Sequence, residues 1–254
     1  MQNTEKQNSK RIHFIDELRG AAIVIMVLYH LFFSMAFVFN MPSGAALLNI
    51  IEPFGPSAAG TFILLSGVSS MLSRSNLLRG VRILIIALVI TIVTTLFVPE
   101  FAINFGILHF MGIAMILFSF IKKWIVKIPI QTGLAITSIL FILTKNIPNG
   151  VFGIYEILSV KLPAVIYSTN FLFPLGFPSP TFASGDYFPL IPWIFLFLLG
   201  TFLGIPVSKG IVPPFMLKNH VKPLSFLGRH SLVIYVVHQP FIVAVLYLIN
   251  LFFG

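Results

Sequence analysis

Three histidines, His30, His109 and His238, fall inside long apolar runs of this sequence. An imidazole is costly to bury at bilayer depth, so each asks for a partner or a task. Its titration near neutrality, with a reference pKa of about 6.5, suits proton transfer or transient acyl acceptance. At a helical rise of about 1.5 Å per residue, His30 lies about 16 Å beyond Arg19 and His238 about 13 Å beyond Arg229. His109 enters its run from the opposite end and lies within about two turns of that surface. The three rings are therefore expected at the middle-to-outer level of one bundle. A lone histidine there could simply glue helices through a hydrogen bond. Three at compatible depths favour chemistry.

Other polar side chains gather around them. Asp16, Arg19, Ile23, Met26 and His30 recur on one helical face, so an arginine at the mouth and a histidine three turns deeper share a stripe. Asp16 and Arg19 could instead pair at the interface as an anchor. Ser231, Ile234, Tyr235 and His238 share a second face, and Pro240 removes the bond to the Val236 carbonyl beside His238 and Gln239. Arg19, Tyr235, His238 and Gln239 are thus candidate substrate contacts. Asp186 stands just before a run beginning at 187. It either caps that helix or faces an incoming hydroxyl or amine, or the His109 imidazole. With His30 and His109 it completes the catalytic candidates. Trp193 is an interfacial anchor or a ring for a sugar to stack on. Arg74, Arg79, Arg82 and Arg229 could hold phosphates. There is no cysteine and no zinc-protease spacing, so no metal is expected.

The elements that position these residues follow from composition. Of 254 residues, 57% are hydrophobic and 9% charged, against roughly a quarter charged in soluble domains. Lipid must be the main solvent. Runs of about 20 apolar residues cross a hydrocarbon core, and a spanning segment must be helical to satisfy its backbone. The expected fold is all-α, a polytopic bundle with helices near 14–39, 55–73, 80–98, 104–121, 125–144, 187–207 and 227–252. A polar arm, 1–13, precedes a single transmembrane domain, 14–254. The Pro- and Gly-rich stretch 145–186 is extracytoplasmic or re-entrant, with an eighth span as the alternative. Gly200 and Gly204 form a small-xxx-small pair and predict a packing seam.

Placing the N-terminus in the cytoplasm and the C-terminus outside puts fourteen of the sixteen basic residues inside, leaving only Lys145 and Lys161 outside. The net charge of +9 is then topogenic, and no nucleic-acid partner is expected. The location implied is a cell (inner) membrane, and a homo-oligomer is one candidate state.

Taken in order, DELRGAAIVIMVLYH, FILLSGVSSMLSRSNLLRGVRILIIALVIT, FGILHFMGIAMIL, DYFPLIPWIFLFLLGTFLG and LGRHSLVIYVVHQP resemble the bacterial branch of the heparan-alpha-glucosaminide N-acetyltransferase catalytic-domain family. The wider transmembrane acyltransferase superfamily shares the Arg-then-His spacing of the first helix. It also shares a closing Gly-x-x-Ser-x-x-x-Tyr-x-x-His signature, here Gly228, Ser231, Tyr235 and His238. The resemblance implies transfer of an acyl group from cytoplasmic acetyl-CoA or another acyl-CoA to an extracytoplasmic sugar or glycan acceptor. It favours His30 as catalytic imidazole with Arg19 as partner, and His109 and His238 as pocket members. The sequence departs from the lysosomal enzyme after the first helix, where NMPSGAALLNIIEPFGP carries no histidine. A carrier or channel using the same histidines for protons or a small molecule is the alternative.

Overall fold

A computed structural model describes residues 11–154 and 157–253. Most of the arm, with Lys6 and Lys10 of the charge pattern, lies outside the described residues. Among the described residues ten α-helices follow one another: α1 (His13–Phe33), α2 (Pro42–Ile51), α3 (Gly55–Leu72), α4 (Asn76–Phe97), α5 (Ile107–Ile125), α6 (Ile130–Thr144), α7 (Leu190–Ser208), α8 (Pro214–Leu217), α9 (Lys222–Arg229) and α10 (Ser231–Phe253). Seven stretches of the described residues are long and apolar enough to cross a membrane: His13–Val38, Pro42–Leu72, Asn76–Phe97, Ile107–Ile125, Ile130–Asn149, Leu190–Ser208 and Ser231–Phe252. The expected all-α bundle with about seven spans is what the chain forms. Between α6 and α7 lie short 3₁₀ turns and an antiparallel hairpin of β1 (Val151–Ile154) and β2 (Leu158–Lys161). Among the described residues of that stretch there is no eighth span.

Element ends differ from the sequence reading for identifiable reasons. The second span starts early because α2, with Pro42 suited to a first helical turn, runs through a 3₁₀ turn into α3. The third starts at Asn76 because the Ser75 hydroxyl accepts the Leu78 N–H at 3.4 Å. The last starts at Ser231 because the residues before it form the separate helix α9, broken from α10 at His230.

The chain forms two compact units, Met1–Phe62 with Val212–Gly254, and Ile63–Ile211. In the first, α1 packs on α9, α10 and α2. The tightest approach is α1 on α9: a Cβ at Gly20 would strike the Leu224 carbonyl, and one at Gly228 the Asp16 carbonyl. Glu17 seals the same crossing. Its carboxylate accepts the backbone N–H groups of His220 (2.6 Å) and Val221 (3.0 Å) at the start of α9. An anion there complements the helix dipole.

In the second unit, α4 packs on α5, and α7 on both α5 and α6. The predicted Gly200–Gly204 seam exists, and its partner is the far end of α3. Cβ atoms at Gly67 and Gly200 would collide with the Phe197 and Leu64 carbonyls respectively. Phe110, Phe118, Phe197 and Phe202 fill this unit's core. Elsewhere large apolar side chains point outward. On α4 the exposed series Val81, Ile85, Leu88, Ile92 and Leu96 repeats at helical spacing, as a lipid-facing stripe does.

Candidate functional site

In the first unit, α1 and α10 bring two of the three predicted histidines together. The His30 and His238 rings lie 4.9 Å apart between centroids, tilted by 56°. Tyr29 stands edge-on to His30 at 5.5 Å, and Tyr235 lies 5.5 Å from His238. Immediately beyond α1 the helix widens into a π-helical turn, Ser34–Val38, and fully buries Ser34. Such turns often occur at functional sites because the extra residue redirects side chains. Here the Ser34 hydroxyl accepts a hydrogen bond from Gln239 Nε2 at 3.0 Å, so the turn and α10 are stitched beside the two rings.

Hydrogen bonding fixes the chemistry of His238. Its Nδ1 lies 2.6 Å from the Tyr235 carbonyl oxygen, which can only accept, so Nδ1 carries the proton and Nε2 keeps a lone pair. The residue is buried, at 9% exposure, and Nε2 has no hydrogen-bond partner; nor does Gln239 Oε1. Leaving a buried acceptor unpaired costs about 1–3 kcal/mol, and native proteins rarely do so.

At the other end of α1, Asp16 is buried and bonded to Arg11, with Oδ2 2.7 Å from Nε. Arg11, just before α1, is thus a cation paired with Asp16. Arg19 lies half-buried on the same helix. Glu17, which sequence reasoning passed over, is as buried as Asp16. An acidic residue inside an apolar run was the signal that could have flagged it.

His109 belongs to the second unit and has its own partners. Nδ1 accepts the Gly106 N–H at 3.2 Å, which puts the ring proton on Nε2. Nε2 then donates to the Thr91 hydroxyl at 3.1 Å, and that hydroxyl donates to the Ile103 carbonyl at 2.6 Å. The three groups form one polarised chain tying the start of α5 to α4. Asp186 sits at the same helix start. Its Oδ2 accepts the Ile107 N–H at 3.0 Å, so it caps α5, where the sequence suggested the helix that follows it. The cause is tertiary: the strand-like segment before α7 runs beside the one before α5, with the Phe188 N–H donating to the Phe105 carbonyl at 2.9 Å.

Phe105 stacks on His109 at 5.6 Å and meets Phe173 at 6.2 Å. Phe173 in turn stacks on Phe182 at 4.6 Å, and Phe182 contacts Tyr187 at 4.9 Å. Trp193 lies between Phe141 and Phe188, at 5.8 and 5.1 Å. Of the candidate phosphate ligands, Arg74, Arg82 and Arg229 are exposed and Arg79 half-buried. Lys122 donates to the Met71 carbonyl at 3.2 Å, joining the ends of α3 and α5 near the start of α4. No cluster of three or more histidines or carboxylates that could hold a metal occurs among the described residues.

The sequence matches the family described as heparan-alpha-glucosaminide N-acetyltransferase, catalytic, over residues 11–240. The chain belongs to this family. Membership implies acyltransferase activity in a multi-pass membrane protein. The matched range takes in the whole His30–His238 constellation and ends within α10, one residue after Gln239. The sequence finds no match among curated proteins or among solved structures.

Proposed function

We propose that this chain moves an acyl group, acetyl in the first instance, from cytoplasmic acyl-CoA to a sugar hydroxyl or amine on the far side of the membrane. Residues 14–254 act as one domain, with the N-terminus inside, the C-terminus outside, and a bacterial inner membrane as the setting. The supporting observation is the facing pair of imidazoles, His30 and His238, on two spanning helices. One of them carries a lone pair with no donor.

A thioester is already activated, so the protein needs to supply proximity, worth up to about 7–11 kcal/mol, and a proton acceptor. Arg19 starts the stripe leading to His30; within its own unit it and the exposed Arg229 are candidates for the CoA phosphates, and Arg74, Arg79 and Arg82 are the candidates of the other unit. Tyr235 and Gln239 line the acceptor side of the pair. His109 and Asp186 order the start of α5, and with Trp193 they are the second group of acceptor-side candidates.

The test uses purified protein, acetyl-CoA and a panel of sugars and amino sugars, following release of CoA thiol. The chain has no cysteine, so its own thiol background is nil. Acceptor-dependent release is expected, falling about 10²–10⁴-fold in His30→Ala, the usual contribution of a positioned proton-transfer group. Undiminished release in that variant removes His30 from the chemistry. Solute uptake into proteoliposomes, without thiol release from any donor, replaces the enzyme by a carrier.

A further inference from the structure

The orphaned acceptors of α10 divide the labour within the imidazole pair, on the footing that the chain is the acyltransferase proposed above. His238 Nδ1 is committed to the Tyr235 carbonyl at 2.6 Å, so the imidazole presents only a basic nitrogen to its surroundings. That nitrogen, Nε2, is buried and unpaired, and so is the neighbouring Gln239 Oε1. The Gln239 side chain is held in place by its donation to the buried Ser34 hydroxyl. Two adjacent acceptors, both oriented by the protein and both without donors, match a ligand group that brings hydrogen-bond donors. An attacking hydroxyl or amine is such a group, whereas a thioester carbonyl, which only accepts, is not.

We propose that His238 is the general base for the acceptor, with Gln239 orienting the same nucleophile and His30 serving the leaving-group side. The acceptor hydroxyl or amine donates to Nε2 and attacks the thioester carbonyl carbon. A carbon–oxygen or carbon–nitrogen bond forms, the carbon–sulfur bond breaks, and the acceptor's proton passes to Nε2. The neighbouring His30 ring, 4.9 Å away between centroids, relays a proton to the departing thiolate, so CoA leaves as the neutral thiol and both imidazoles end uncharged. Locking the tautomer through Nδ1 is the usual way a histidine base is aimed.

His238→Gln retains a polar side chain of similar reach and tests the base directly. The expected result is a fall of about 10²–10⁴-fold in acceptor-dependent CoA release, loss of the acidic limb of the kcat/KM pH profile, and unchanged acetyl-CoA binding by calorimetry. Gln239→Leu should raise KM for the acceptor more than it lowers kcat, as a positioning residue does. If His238→Gln keeps both rate and acidic limb while His30→Ala loses activity, the assignment of His238 falls and the acyltransferase reading stands. A wild-type protein that releases no CoA with any acceptor sinks that reading instead. The tautomer is tested without turnover, by nitrogen-15 spectra of histidine-labelled protein in detergent. One signal from an unprotonated ε2 nitrogen should vanish in His238→Gln and shift when ethanolamine or glucose is added. A His238 ring protonated at Nε2 overturns the inference whatever the activity.

Discussion

His109 and His238 occupy similar apolar surroundings and differ in what their ring nitrogens touch. Both nitrogens of His109 are engaged, by Gly106 and Thr91, whereas His238 has one engaged and one unpaired. Thr91→Val should therefore strand the His109 N–H and the Ile103 carbonyl, at a cost of about 1–3 kcal/mol readable as earlier thermal unfolding in detergent. A fall in kcat far exceeding the loss of folded protein would put His109 in the chemistry. At the aromatic cluster, burial pushes the Tyr187 hydroxyl above its ordinary range, and it donates to the Phe173 carbonyl at 2.7 Å. A raised pKa in the folded state means full stability below the unfolded value of about 10 and loss as pH climbs past it. Replacing Tyr187 with Phe should flatten that part of an alkaline unfolding series; an unchanged decline would exclude Tyr187 as its source.

The signature glycine and histidine of the closing motif do separate jobs on separate helices. Gly228, next to last in α9, lies against the Asp16 carbonyl, and Gly20 of α1 meets the Leu224 carbonyl. This contact joins α1, which carries His30, to α9, which immediately precedes the helix of His238. Gly228→Ala forces the backbones apart and should cost about 1–3 kcal/mol, as overpacking does. Because the displacement is passed to α10, CoA release should fall further than stability alone explains; thermal unfolding and kcat measured on the same preparation separate the two. Wild-type stability in that variant would mean the crossing is looser than described. Glu17 belongs to this scale too, since its carboxylate holds the loop that enters α9.

For the whole molecule the useful property is the missing cysteine. Any single introduced thiol reports one position. Lys123→Cys and Lys209→Cys should react with impermeant reagents only from the cytoplasmic side, and Lys145→Cys and Lys161→Cys only from the opposite side. Labelling of all four from one side would overturn the orientation and, with it, the direction of acyl transfer. The hairpin of β1 and β2 exposes Leu158 and Val160 by 70% and 59%. Its reagent accessibility should therefore be compared with that of Lys145 in intact membranes.

The fold class and the number of spans were legible in the sequence. Each follows from local composition: a run of apolar residues has one way to satisfy its backbone in lipid. The His30–His238 pair was readable as an alignment of depths, because helical rise is constant. Which groups hydrogen-bond those rings was not readable. The Tyr235 carbonyl lies only three residues before His238, yet the tautomer it selects depends on a rotamer. The Asp186 cap depends on two segments 79 residues apart lying side by side. The role of Glu17 depends on which helix crosses α1. Such choices are made by packing between distant parts of the chain, and only the tertiary structure contains them.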